Sequence, residues 1–208
     1  MLVEKLKKDF QLNKPILTSD ILNIMKGYSR SYIYQLIDKE EKNGKLIRFD
    51  TGIYYIPKET EFGQAMPSVN SVVDKKYISS KGEIFGIYGK YVIDLNFLAS
   101  SQVPNTIEII TNKETRRVRE IYIKGRRVVL RKSRCKITND NHTAYTLVEF
   151  FNNVDMIQYN EDKNIRRMVK EYINENNIKR DTVISVAEAF PSKAIKNLAL
   201  SGVLYEIR

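Results

Sequence analysis

The chain has one cysteine, Cys135, and one histidine, His142, among 208 residues. A single cysteine excludes an internal disulfide and suits a reducing compartment. One residue of each kind also leaves a histidine and cysteine metal site short of ligands within one subunit. Glycine and proline are sparse, at nine and five residues, while 42% of the chain is hydrophobic. That composition excludes a disordered chain and predicts a folded protein with modest loops. No apolar run approaches the roughly eighteen residues that a membrane span needs. The opening MLVEKLKKDF sets Leu2, Leu6 and Phe10 at helical spacing with charges between them, and reads as an amphipathic helix, not as a signal peptide. The expectation is a cytoplasmic protein with one large domain or two smaller ones.

Motifs that would carry catalysis are also missing. Gly82, Gly86 and Gly89 have neither the spacing of a dinucleotide fingerprint nor the Gly-Lys-Ser/Thr ending of a phosphate loop. They are expected to serve close backbone packing ahead of an apolar helical segment beginning near residue 90. A metal-dependent nuclease places carboxylates and a Glu-x-Lys element on a strand, where the acids hold the cation and the lysine orients the nucleophile. Here Glu40-x-Lys42, Asp74-x-Lys76 and Glu161-x-Lys163 fall in or at predicted helices. Spacing alone leaves a Cys135 and His142 pair open. The expectation is a protein without enzymatic turnover, without a cofactor and without a metal site.

What the chain does have is a concentrated positive charge. Residues 111–136 hold 11 basic and 2 acidic side chains, net +9. Residues 1–60 are net +3, and residues 61–110 and 137–208 are each net −1, so one ribbon carries most of the total of +10. A focused positive field attracts phosphate far better than scattered charge.

The first sixty residues predict three helices and a hairpin. In LTSDILNIMKGYS, Thr18 or Ser19 is placed to cap a short helix, and Gly27 allows a tight turn. Ser29 caps the next helix, RSYIYQLIDKEEKN, whose inward stripe is Ile33, Leu36 and Ile37. Two short helices joined by a glycine turn form the helix-turn-helix pattern, and KLIRFDTGIYYIP adds a hairpin through Asp50, Thr51 and Gly52, the wing of a winged helix. Docked as such domains dock, the third helix offers Arg30, Ser31, Tyr34 and Gln35, with Ser29 at its cap, to base edges in the major groove. Arg48, Thr51, Gly52, Lys26 and Lys45 are the expected wing and backbone contacts. A winged helix that bridges proteins is the alternative. Tyr28, Tyr32, Tyr54 and Tyr55 are expected to pack around the junction of helix and hairpin.

Residues 61–70 read as a polar linker, with Ser68 capping a helix through Val72, Val73 and Tyr77. Residues 71–208 read as a larger α+β domain. NTIEIITN predicts a strand, and REIYIK and RRVVLRK predict a basic hairpin turning at Lys124 and Gly125. The apolar residues on both of its faces send the arginines to ends, an edge or one wet face. Three uses compete: gripping a nucleic-acid backbone, engaging an acidic protein, or keeping sheet edges from pairing. The last seventy residues predict helices, with Ile165, Met168, Val169, Tyr172 and Ile173 as one stripe, and a final strand-like VLYEI after Gly202.

The runs GYSRSYIYQLIDKEEKNGKLIRFDTGIYYIPKETEFG, KKYISSKGEIFGIYG and SQVPNTIEIITNKETRRVREIYIKGRRVVLRKSR resemble the AbiEi-type antitoxin group of transcriptional regulators. The resemblance covers most of the chain and is fainter over the last helices. It implies a two-domain, non-enzymatic antitoxin of a type IV toxin–antitoxin system, with a winged helix that binds inverted repeats in double-stranded DNA of its own promoter. It implies a larger domain that contributes to antitoxicity, and a toxin resembling a nucleotidyltransferase that needs no stable complex with it. Ser29, Arg30, Ser31, Tyr34 and Gln35 then match the reading helix. Arg116, Arg117, Arg119, Arg126, Arg127, Arg131 and Arg134 match a basic surface of the larger domain.

Overall fold

A computed structural model describes residues 2–61, 63–89 and 106–207. The fold is α+β, with helices and small sheets mixed along the chain. It divides into two compact units, one of residues 1–76 with 123–125 and one of residues 77–122 with 126–208.

The first unit begins with α1 (Leu2–Asp9), β1 (Ile16–Leu17), α2 (Thr18–Ile24) and α3 (Arg30–Lys42), followed by β2 (Ile47–Asp50) and β3 (Ile53–Tyr55). Leu2 and Leu6 of α1, Ile21 of α2, and Ile33 and Ile37 of α3 meet Ile16, Met25, Leu46, Tyr54 and Ile56 in one apolar cluster. The helical spacing of the buried residues explains why each helix presents one face inward. In the sheet, β3 lies between β1 and β2, with Leu17 opposite Ile53 and Arg48 opposite Tyr54. Ser29 caps α3, accepting from the Tyr32 amide at 3.3 Å.

The start of α2 departs from the expectation. Neither Thr18 nor Ser19 caps it. The Thr18 hydroxyl instead donates to the Gly52 carbonyl at 3.1 Å, and its amide donates to the same oxygen at 3.0 Å. Asp20 takes over at the helix start by accepting from the Leu17 amide at 3.2 Å, and Lys75 neutralises it at 3.4 Å. A partner thirty-four residues away has won the hydroxyl that local spacing assigned to a cap.

The short strands β4 (Lys58–Thr60) and β5 (Gly63–Ala65) pair antiparallel, so β5 falls in the stretch read as a linker. Ser68 caps α4 (Val69–Val73) through the Ser71 amide at 3.1 Å, and a π-helical turn, Asp74–Ile78, follows.

The second unit opens with β6 (Ser79–Ser80) paired to β7 (Glu83–Ile84). Its main sheet has β8 (Gly86–Tyr88), β9 (Thr106–Thr111), β10 (Val118–Ile123) and β11 (Arg126–Lys132) in the order β10, β11, β9, β8. The β8 strand runs antiparallel to β9, whereas β9 and β11 run parallel, with Val128 beside Ile107 and Leu130 beside Ile109. The glycines divide by role. A Cβ at Gly86 would lie 2.1 Å from the Tyr77 carbonyl oxygen, and one at Gly89 would lie 2.7 Å from the Glu108 side chain. Gly82 meets nothing and serves the β6–β7 turn, so it is not a packing glycine. The apolar helical segment expected from residue 90 lies outside the described residues.

Helices α5 (His142–Asn153), α6 (Met156–Glu161), α7 (Lys163–Glu175), α8 (Arg180–Ala187), α9 (Ser192–Leu200) and α10 (Val203–Glu206) complete the chain. The apolar face of α5 packs with Ile87 and Ile110 of the sheet and with buried residues of α7, α8 and α9. The expected stripe of α7 is present, with Ile165, Val169 and Ile173 buried and Met168 and Tyr172 packed beside them. The strand expected at VLYEI is a helical turn. Val203 and Ile207 are both buried, and their separation by four puts them on one helical face.

Candidate functional site

The outer face of α3 is built by its inner one. Ile33, Ile37 and Glu40 are buried, which turns Arg30, Ser31, Tyr34 and Gln35 outward, all exposed. Arg30 and Tyr34 form one row four residues apart, and Ser31 and Gln35 form the next. Ser29, exposed at the helix start, has its side-chain oxygen committed to the cap. The Tyr28 and Tyr32 rings, expected at a packing junction, instead stack in an exposed position at 5.5 Å, with Lys5 5.2 Å above Tyr28. Tyr54 and Tyr55 are buried as expected.

In the β2–β3 hairpin, Arg48 is exposed but engaged, reaching Glu41 at 3.1 Å and the Tyr54 hydroxyl at 3.5 Å. Thr51 is exposed at the tip, where its amide donates to the Asp50 carboxylate at 2.6 Å. Gly52, with φ +72°, is half-buried and directs its carbonyl to Thr18. Lys26 and Lys45 are both exposed. The hairpin is therefore held in place by α2, which leaves Thr51 as its outermost side chain.

The basic ribbon is a hairpin of β10 and β11 turning through Lys124 (φ +48°) and Gly125 (φ +76°). Two successive positive φ angles give a turn whose twist matches that of the strands. Arg119 pairs with Glu114 at 2.7 Å, Arg127 pairs with Glu120 at 2.6 Å, and Arg131 pairs with Glu108. Arg127 and the Tyr122 hydroxyl hold the Glu120 carboxyl below its ordinary range. Burial would push Glu114 up, but the amides of Arg116 and Thr115 and the Arg119 guanidinium together bring it down. The net charge of the ribbon thus overstates the positive groups left for a partner. Arg116, Arg117, Lys132 and Arg134 make no ion pair among the described residues, and Arg126 lies half-buried at the turn.

A cavity of about 400 Å³ opens between this sheet and α5. Glu108, Arg131 and Lys132 line one wall, Tyr145, Glu149, Asn152 and Asn153 line the other, and Arg117 and Arg134 flank it. The Tyr145 hydroxyl accepts from the Arg134 amide at 2.9 Å, and the Arg134 guanidinium lies 5.2 Å above the Phe190 ring. Burial pushes the Glu149 carboxyl up, against the Asn153 amide, which donates to it at 2.8 Å, and against nearby Arg134 and Arg131. Sequence reasoning did not assemble this site. Its signal was present: Tyr145, Glu149, Asn152 and Asn153 recur at helical spacing within the otherwise apolar AYTLVEFFNNV.

No family model, curated protein or solved structure matches the chain. Function is left to the chain's own residues and their arrangement. Cys135 packs against the apolar core, which pushes its thiol away from the reactive thiolate, and His142 Nδ1 lies 2.9 Å from the Asn139 carbonyl. Among the described residues no group of three His, Cys, Asp or Glu could hold a metal ion, and no helix is long and apolar enough to cross a membrane.

Proposed function

We propose that this chain is a DNA-binding transcriptional regulator without turnover, acting as an autoregulating type IV antitoxin on inverted repeats in its own promoter. The observation that carries the reading is the outer face of α3. Arg30, Ser31, Tyr34 and Gln35 stand exposed on its first turns, with no side-chain hydrogen bond or ion pair to the described residues. An arginine fork suits the two acceptors of guanine and a glutamine amide suits adenine, so this face has the chemistry of major-groove reading. The order α1, β1, α2, α3, β2, β3, with β1 beside β3, supports a winged helix-turn-helix in which α3 reads and the hairpin flanks it. Arg116, Arg117, Arg126 and Arg134 then supply backbone grip.

The pairing of Arg119, Arg127 and Arg131 with carboxylates favours a second reading, a non-enzymatic scaffold whose ribbon engages an acidic protein. Fluorescence anisotropy of the full chain separates the two. Labelled duplex from upstream of its own coding region should bind more tightly than a shuffled duplex of equal length and composition. Equal, weak binding to both, with capture of an acidic protein, would favour the scaffold.

A further inference from the structure

Both readings draw on arginines beside the cavity between the main sheet and α5, but neither uses the cavity itself. Three arginines, Arg117, Arg131 and Arg134, line it with two carboxylates, Glu108 and Glu149, while Lys132, next to Arg131 on β11, has its side chain on the other face of the sheet. Both carboxylates are already committed. Glu108 is the ion-pair partner of Arg131, and Glu149 is buried and takes the Asn153 amide at 2.8 Å. Arg117 and Arg134 therefore reach one recess with no ion pair among the described residues to neutralise them. Concentrating like charges in a concave site is unfavourable unless an anion joins them.

We propose that this cavity binds the phosphate group of a mononucleotide-sized phosphate ester, with Arg117 and Arg134 as its cationic clamp. Guanidinium forks match phosphate oxygens in geometry and charge. A cavity of about 400 Å³ falls within the range that holds a small organic ligand and is larger than one phosphate needs. Its remaining wall suits the uncharged part of such a ligand. Ile110 gives an apolar floor, and the half-buried Asn152 amide, without a partner among the described residues, offers both a donor and an acceptor. Glu108 and Glu149 place carboxyl groups beside the clamp. They disfavour the second and third phosphates of a continuing strand and so favour a free monoester over a nucleic-acid backbone.

The proposal is independent of the DNA reading, because its test needs no duplex. Isothermal titration of the full chain with adenosine monophosphate, adenosine and inorganic phosphate reads it directly. The monophosphate should bind, adenosine should not, and phosphate should compete. Arg117→Ala, an exposed substitution, should weaken the monophosphate at least tenfold without lowering the melting temperature. Asn152→Leu should weaken the monophosphate while leaving inorganic phosphate unaffected, which separates ligand contact from general charge. Absence of monophosphate binding at millimolar concentration, equal binding of adenosine, or an unchanged affinity in Arg117→Ala would overturn the proposal. A third arm uses short duplexes. If Arg117→Ala weakens duplex while the monophosphate never binds, the phosphate belongs to a nucleic-acid backbone and the free-ligand site is refuted.

Discussion

Glu149 is a carboxylate whose surroundings oppose its charge. Burial raises its proton affinity in the folded chain above the ordinary glutamate value. Below the ordinary value both folded and unfolded chains hold the proton, and ionisation costs no stability. As pH rises from there towards the raised folded value, the unfolded chain releases its proton first, so folding becomes less favourable. Glu149→Gln keeps an oxygen for the Asn153 amide and removes the ionisation. Its melting temperature should exceed that of the wild type near neutral pH, and the difference should vanish below the ordinary glutamate range. A loss of stability of equal size at both pH values would mean that packing, not ionisation, governs the site. At this scale the sequence made Arg30, Ser31, Tyr34 and Gln35 legible, because helical spacing places them opposite Ile33 and Ile37. It left the fate of Thr18 hidden, because the Gly52 carbonyl is brought close only by folding.

Among the elements, β8 and the ribbon make separate demands. Gly86 sits where a methyl group would meet the Tyr77 carbonyl at 2.1 Å and the Ile110 carbonyl at 3.0 Å, both backbone atoms that cannot rotate away. Gly86→Ala should destabilise the protein by about 1–3 kcal/mol, the usual range for overpacking. An unchanged denaturation midpoint would show that β8 shifts freely. The ribbon makes a ranked prediction about salt. If Arg116 and Arg117 each contact one phosphate, replacing both with glutamine should make the slope of log affinity against log salt shallower by roughly 1.8 units. Arg127 and Arg131 should each contribute less, because each must first leave a carboxylate. Equal contributions from all four would instead mark a diffuse charge effect. The ribbon hairpin was legible from Lys124 and Gly125 between alternating apolar residues, a local signal. The parallel pairing of β9 with β11 was not, because strands joined through another strand carry no turn that announces their neighbour. VLYEI misled for a related reason: β-branched and aromatic residues suit strands, but Val203 and Ile207 found a helical face to bury.

For the whole molecule, each unit encloses its own apolar cluster and carries its own exposed cationic or polar groups. Segment charge revealed the ribbon, but not that three of its arginines are paired within the fold, since those pairs join strands or a buried loop carboxylate. The proposed division of labour is sequence choice by α3 and charge-driven grip by the ribbon. These two contributions should respond to mutation differently. The most direct test is anisotropy of the full chain on its own upstream duplex and on a shuffled duplex, comparing the wild type with Arg30→Ala at two salt concentrations. The wild type should prefer the upstream duplex, and Arg30→Ala should lose about 1–3 kcal/mol on that duplex with little change on the shuffled one. Equal affinity of the wild type for both duplexes, or an equal loss on both in Arg30→Ala, would contradict the assignment of sequence reading to α3.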